Sequence, residues 1–156
     1  MPLRTLLVLV VAAIVVLAVA TELQRPQSPA PGRASPVLTP GALNPDVTQA
    51  TIGSTICVAG WTRTIRPPSS YTSALKVRQL REYGFAGSPS DFEEDHLVSL
   101  ELGGDPVDPR NLWPERQPRA RTVDTIENDL RERVCAGTMS LGAAQRKIAK
   151  IKHERG

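Results

Sequence analysis

Only two cysteines occur in the 156 residues, far apart and in no CxxC pair. A four-ligand zinc site is thereby disfavoured, because no clustered thiol or nearby histidine completes the set. Histidine is equally scarce: His96 and His153 are the whole supply, and the second lies in the C-terminal tail. Imidazole chemistry in the body of the chain therefore belongs to His96. No internal repeat is present, which excludes solenoids and arrays, and no long run of one charge sign demands a polyanion or a membrane surface. The formal net charge of +3 leans toward anionic partners without requiring them.

What the chain does have in abundance stands at its start. Leu6 to Ala20 is unbroken apolar sequence, preceded by Arg4 and closed by the small-x-small run Ala18-Val19-Ala20. A core of roughly 15 residues suits a signal peptide better than a full span of roughly 20. Residues 1–20 are thus expected to be a signal peptide cut after Ala20, or else a retained N-terminal membrane anchor. Either places the remainder in the cell envelope or outside the cell. Residues 21–47 are rich in proline and small residues and poor in large apolar ones. Such sequence cannot offset its ordering entropy by packing, and a flexible, partly polyproline linker is expected. Residues 48–156 remain as one domain with room for a small core. In an exported protein Cys57 and Cys135 most simply pair with each other, a closure worth about 3 to 5 kcal/mol in the chain-entropy model.

Within the domain, Thr48–Ile52, Thr55–Ala59 and Trp61–Ile65 are short and rich in Thr, Val and Ile, with Gly53 and Gly60 between them. They read as short strands or extended arms. After Pro67-Pro68 a helix is expected, with Leu75, Leu80 and Tyr83 on its apolar face and Gly84 at its end. His96 to Leu102 nearly alternates and suggests a strand, Gly103-Gly104 a tight reversal, and Asn111-Leu112-Trp113 a return strand stopped by Pro114. Val123, Ile126, Leu130 and Val134 recur at helical steps, so a helix over about 120–134 is expected. A last helix over about 140–152 buries Leu141, Ala144, Ile148 and Ile151, and its basic end, Lys150, Lys152, His153 and Arg155, is expected to fray.

Strand, glycine turn, strand and helix, with Asp95-His96 at the first strand and Asn111 at the second, is the sequence form of a ββα-metal finger. Glu94-Asp95-His96, Leu102-Gly103-Gly104 and Asn111-Leu112 resemble the HNH endonuclease motif as carried by small exported bacterial proteins. The likeness extends to Cys57-Val58-Ala59-Gly60-Trp61-Thr62, Trp113-Pro114-Glu115 and Val134-Cys135-Ala136-Gly137. It departs at Val123 and Ser99, where relatives of this form often carry lysine and proline. The implied fold class is α+β: an HNH-like finger with flanking helices and short N-terminal strands, closed by one disulfide.

By the same resemblance the chain would be a metal-dependent endonuclease. Hydrolysing a phosphodiester takes a water made nucleophilic and a leaving oxygen stabilised, roles that a neutral imidazole and a divalent cation supply. His96 is then the general base, and Asn111 orders the loop that holds it. Asp95 becomes a hard oxygen ligand to Mg²⁺, with Mn²⁺, Ni²⁺ or Zn²⁺ as alternatives. The third ligand must come from the following helix, where Asp124, Glu127 and Asn128 are available; Asp124 is favoured, with Asn128 close behind. Adjacent strand residues point to opposite faces, so a kink or bulge at Asp95-His96 is expected. Arg119 and Arg121 are assigned to phosphate, while Arg110 and Arg116 stand nearby. Trp61 and Trp113 are read as packing residues. The partner is nucleic acid, DNA before RNA, and the chain is expected to be a monomer. The opposing reading is a binding module that keeps this scaffold and hydrolyses nothing.

Overall fold

Leu75, Leu80 and Tyr83 fall on one face of a helix and are all buried, between 1% and 7% exposed, which fixes how the surrounding elements pack. The computed structural model describes residues 32–117 and 120–155, with side chains for 32–117 and 123–154. In chain order the elements are α1 (Trp61–Ile65), α2 (Ser69–Glu82), β1 (Phe92–His96), β2 (Leu112–Arg116), α3 (Ala120–Cys135) and α4 (Leu141–Arg155). Helices thus surround one two-stranded antiparallel sheet, an α+β arrangement, and Cys57 is bonded to Cys135 across 78 residues. The expected signal or anchor segment, residues 1–20, and the start of the linker lie outside the described residues. Among the described residues no helix is long and apolar enough to cross a membrane.

Two clusters form the core. Val47, Ile56, Val98 and Leu102 pack with Leu130 and Val134 of α3 and Leu141, Ala144 and Ile148 of α4. Ala34, Tyr83, Leu97 and Trp113 form the second, with Phe85 against it. Trp113 is fully buried and Trp61 packs on the first cluster, so both tryptophans are packing residues.

Four local expectations change. The short N-terminal strands do not form: Ile52–Ser54 is a 3-10 turn and Trp61–Ile65 is helical. The threonines there turn their hydroxyls back onto their own backbone, Thr55 Oγ1 to Thr51 O and Thr64 Oγ1 to Trp61 O, both at 2.7 Å. That local satisfaction replaces a strand partner. The first strand ends at His96 instead of starting there, and Leu100–Leu102 is a 3-10 turn. Leu97, Val98, Leu100 and Leu102 are all buried, so their spacing did not mark a strand with one wet face. As part of the same correction to the strand pair, Pro114 lies inside β2 opposite Glu94 and does not end it. A strand paired on one side only has an open edge where the missing N–H costs nothing.

Residues 32–47 are the third correction, for they pack as an arm on the domain and are not a free linker. Thr39 and Ala34 are buried, Tyr83 Oη receives the Ser35 N–H at 3.1 Å, and Asn44 N donates to Gly103 O at 2.9 Å. The fourth is the tail. Helix α4 continues to Arg155, the His153 Nε2 bonds Thr39 O at 3.0 Å, and Lys152 is 1% exposed. The arm covers what would otherwise be a fraying end.

Candidate functional site

Glu93, Asp95 and His96 of β1, the Ser99–Glu101 segment, Asp124, Glu127 and Asn128 of α3, and Thr62 and Arg66 wall a single hollow of about 390 Å³. Asp124 and Asn128 share a face of α3 at a four-residue step, as their spacing requires. Four of the residues expected at the site, Asp95, His96, Asp124 and Asn128, therefore face the same space. The bulge expected to bring Asp95 and His96 together is absent, since β1 pairs residue for residue with β2 from Phe92↔Arg116 to His96↔Leu112. Instead His96 is the last rung, over the open edge of β1, and it walls this hollow and a second one on the α2 side.

The His96 ring is held from one side. Its Nε2 is 3.1 Å from Pro106 O, and a carbonyl only accepts, so Nε2 carries the proton and Nδ1 is left as the basic nitrogen. Burial lowers the imidazole below its ordinary value, keeping it neutral near pH 7. The Pro106 carbonyl is placed in turn by Asn111. The Asn111 side chain is fully buried, accepts from Val98 N at 2.9 Å, and donates to Val98 O at 3.0 Å and Asp105 O at 2.9 Å. Asn111 therefore does not reach the hollow: its place is behind the wall, clamping the loop that aims His96. Gly104 makes the clamp possible, because a Cβ there would lie 1.8 Å from Val98 O.

Below Asp95 lies a cluster the sequence did not announce. Lys152 Nζ is 2.5 Å from Asp95 Oδ2, 2.6 Å from His96 O and 2.8 Å from Glu127 Oε1. The Glu127 contact has ion-pair distance without hydrogen-bond geometry. Burial pushes the Asp95 carboxyl up, but Lys152 overrides it and holds Asp95 below the carboxylate range. Burial opposes the Lys152 charge, and Asp95 and Glu127 outweigh it, so the ammonium stays protonated. Glu115, fully buried opposite Glu93, is driven up by burial and by the Asp95 charge. Of two carboxyls in contact, one keeps a proton; with Asp95 held down by Lys152 and Glu115 pushed up to about 8, that one is Glu115. Burial and the charge of Asp95 also raise Glu127, against the pull of Lys152. Lys152 carried one overlooked signal, its four-residue step from Ile148 on the inner face of α4, whereas nothing marked Glu115 after its proline.

Of the arginines, Arg119 and the Arg121 side chain lie outside the described residues. Arg110 is tied to Asp108 at 2.6 Å, and Arg116 lies over the Phe92 ring while donating to Ala86 O. Among the described side chains, Arg66 is the only cation at the wall of the hollow, facing five carboxyls there. A polyanion enters such a space only against added positive charge.

A magnesium-class ion, as the resemblance implies, needs oxygens converging on one point. Three do so around Asp95, and Lys152 Nζ stands at that point. Among the described residues no three His, Cys, Asp or Glu side chains gather to hold a metal ion, at this position or any other. With Lys152 in place, the residues present do not fit a divalent ion bound to Asp95 and Glu127 together. No protein-family model, curated protein or solved structure matches the chain.

Proposed function

We propose that the chain hydrolyses phosphodiester bonds in nucleic acid, as an HNH-like ββα endonuclease working outside the cytoplasm, with His96 as general base. The observation that carries this reading is the His96 ring: neutral, its Nε2–H spent on the Pro106 carbonyl, and placed at the wall of a hollow that also takes in Asp95, Asp124 and Asn128. The free Nδ1 accepts a proton from water, the resulting hydroxide oxygen attacks phosphorus, and the bond to the leaving oxygen breaks. Arg66 faces the same space as the charge available to the phosphate. Asn111 and Gly104 act on the ring through the Asp105-Pro106 loop. β1, β2 and α3 supply the strand, strand and helix of such a finger. The divalent ion belongs to the expectation from resemblance, and no step is drawn through it.

One observation favours the other reading, a binding module without hydrolysis: Lys152 fills the position a metal would take beside Asp95. Plasmid nicking by the purified full chain separates them, run with Mg²⁺, with Mn²⁺ and with chelator. The hydrolase reading expects nicking that falls about 10²- to 10⁴-fold in His96→Ala. Equal nicking by parent and variant removes His96 from the mechanism. No nicking by the parent under any condition favours the binding module.

A further inference from the structure

An ammonium group has three N–H donors and no acceptor, and when buried it needs three oxygens. Lys152 has three oxygens about it, Asp95 Oδ2 and His96 O accepting hydrogen bonds at 2.5 and 2.6 Å and Glu127 Oε1 at an ion-pair distance of 2.8 Å, drawn from β1 and α3 while the lysine comes from α4. Calcium–oxygen distances run at about 2.3 to 2.6 Å, so the oxygens already stand close to the radius a metal ion would impose. Glu115 lies against Asp95, 0% exposed, and neither of its oxygens has a hydrogen-bond partner.

We infer that Lys152 is the resident cation of this site: its ammonium group occupies a three-oxygen position, made by Asp95, the His96 carbonyl and Glu127, that would otherwise take a divalent ion. Two consequences follow from the geometry. The chain keeps Asp95 and the end of β1 fixed under His96 without a bound metal. The end of α4 is a working part of the site, since losing it releases two carboxylates into the floor of the hollow. Occupancy by Lys152 is separable from cleavage, because it concerns what sits at Asp95 and not whether His96 acts on a substrate.

Mn²⁺ binding to the full chain, followed by the electron-spin-resonance signal of free Mn²⁺, tests it on the parent, Asp95→Asn, Lys152→Met and the double variant Lys152→Met/Asp95→Asn. Lys152→Met should bind one Mn²⁺ about tenfold or more tighter than the parent, because an opposing unit charge has gone. The gain should vanish in the double variant. A parent that binds Mn²⁺ with an affinity reduced by Asp95→Asn overturns the inference, as does a folded Lys152→Met that gains nothing. If Lys152→Met does not fold, the parent alone decides. With ¹⁵N-lysine the buried Lys152 ammonium should exchange slowly enough to be seen, and its signal should stay put under millimolar Mg²⁺. Loss or displacement of that signal by Mg²⁺ means the metal takes the position, and the inference fails.

Discussion

Asn111→Ala is the sharpest test of how the fold aims His96. The side chain is fully buried and makes three hydrogen bonds, one from Val98 N, one to Val98 O and one to Asp105 O, at 2.9, 3.0 and 2.9 Å. Removing it strands the two backbone groups of Val98, itself only 2% exposed, while Asp105 is half-buried and finds water. Each buried group left without a partner costs about 1 to 3 kcal/mol, so the sum is about 3 to 4 kcal/mol. For a domain of this size that lowers Tm by roughly 10 to 15 °C. Urea unfolding should show a lower midpoint at unchanged slope. Asn111→Asp should be no better at neutral pH, for it keeps the acceptor for Val98 N but turns a carboxylate oxygen toward two carbonyls. That added carboxyl has a folded pKa above its unfolded value, so its protonated form is favoured in the fold and the penalty shrinks as pH falls. A loss below about 1 kcal/mol in Asn111→Ala would refute the clamp.

Other substitutions probe separate links. Gly104→Ala places a methyl 1.8 Å from Val98 O and 2.5 Å from Asn111 Nδ2, so a loss of about 3 kcal/mol or more is expected in denaturant unfolding, and near-parent stability would show that the loop yields. Reducing Cys57–Cys135 opens a loop of 78 residues and should cost about 4 to 5 kcal/mol, read as the difference in urea midpoint with and without reductant. Burial pushes Glu94 from 4.5 up to about 8, against the pull of Lys76, and its oxygens have no donor. Its folded pKa exceeds the unfolded one, so stability present below pH 4.5 is lost as pH rises toward 8. Glu94→Gln should match the parent near pH 4 and exceed it by about 2 to 4 kcal/mol at pH 9; parallel pH profiles would show that Glu94 is solvated.

Much of the scaffold was legible from residues alone. Leu75, Leu80 and Tyr83, then Leu130 and Val134, then Leu141, Ala144 and Ile148 announced three helices and their buried faces, because helical periodicity is a local property. The pairing of Cys57 with Cys135 followed from their number and the expectation of export. The group Asp95, His96, Asp124 and Asn128 was named from the resemblance to the HNH motif, with helical spacing choosing between the α3 candidates, and all four border one hollow. The strands were less readable. Leu97, Val98, Leu100 and Leu102 are all buried, and apolar residues buried all round have no period to display.

The sequence by itself thus determined the three longer helices, the covalent closure and the identity of the one imidazole near the acids. Only the tertiary structure decided what lies beneath that imidazole. Lys152 is held by groups 56 and 57 residues away; its four-residue step from Ile148 puts it on the inner face, apart from Lys147 and Lys150, but does not say which groups it meets there. Burial of a charge depends on which distant carboxylates and carbonyls converge on it. Chain topology sets that convergence, whereas residue spacing reports only which face of an element a side chain occupies.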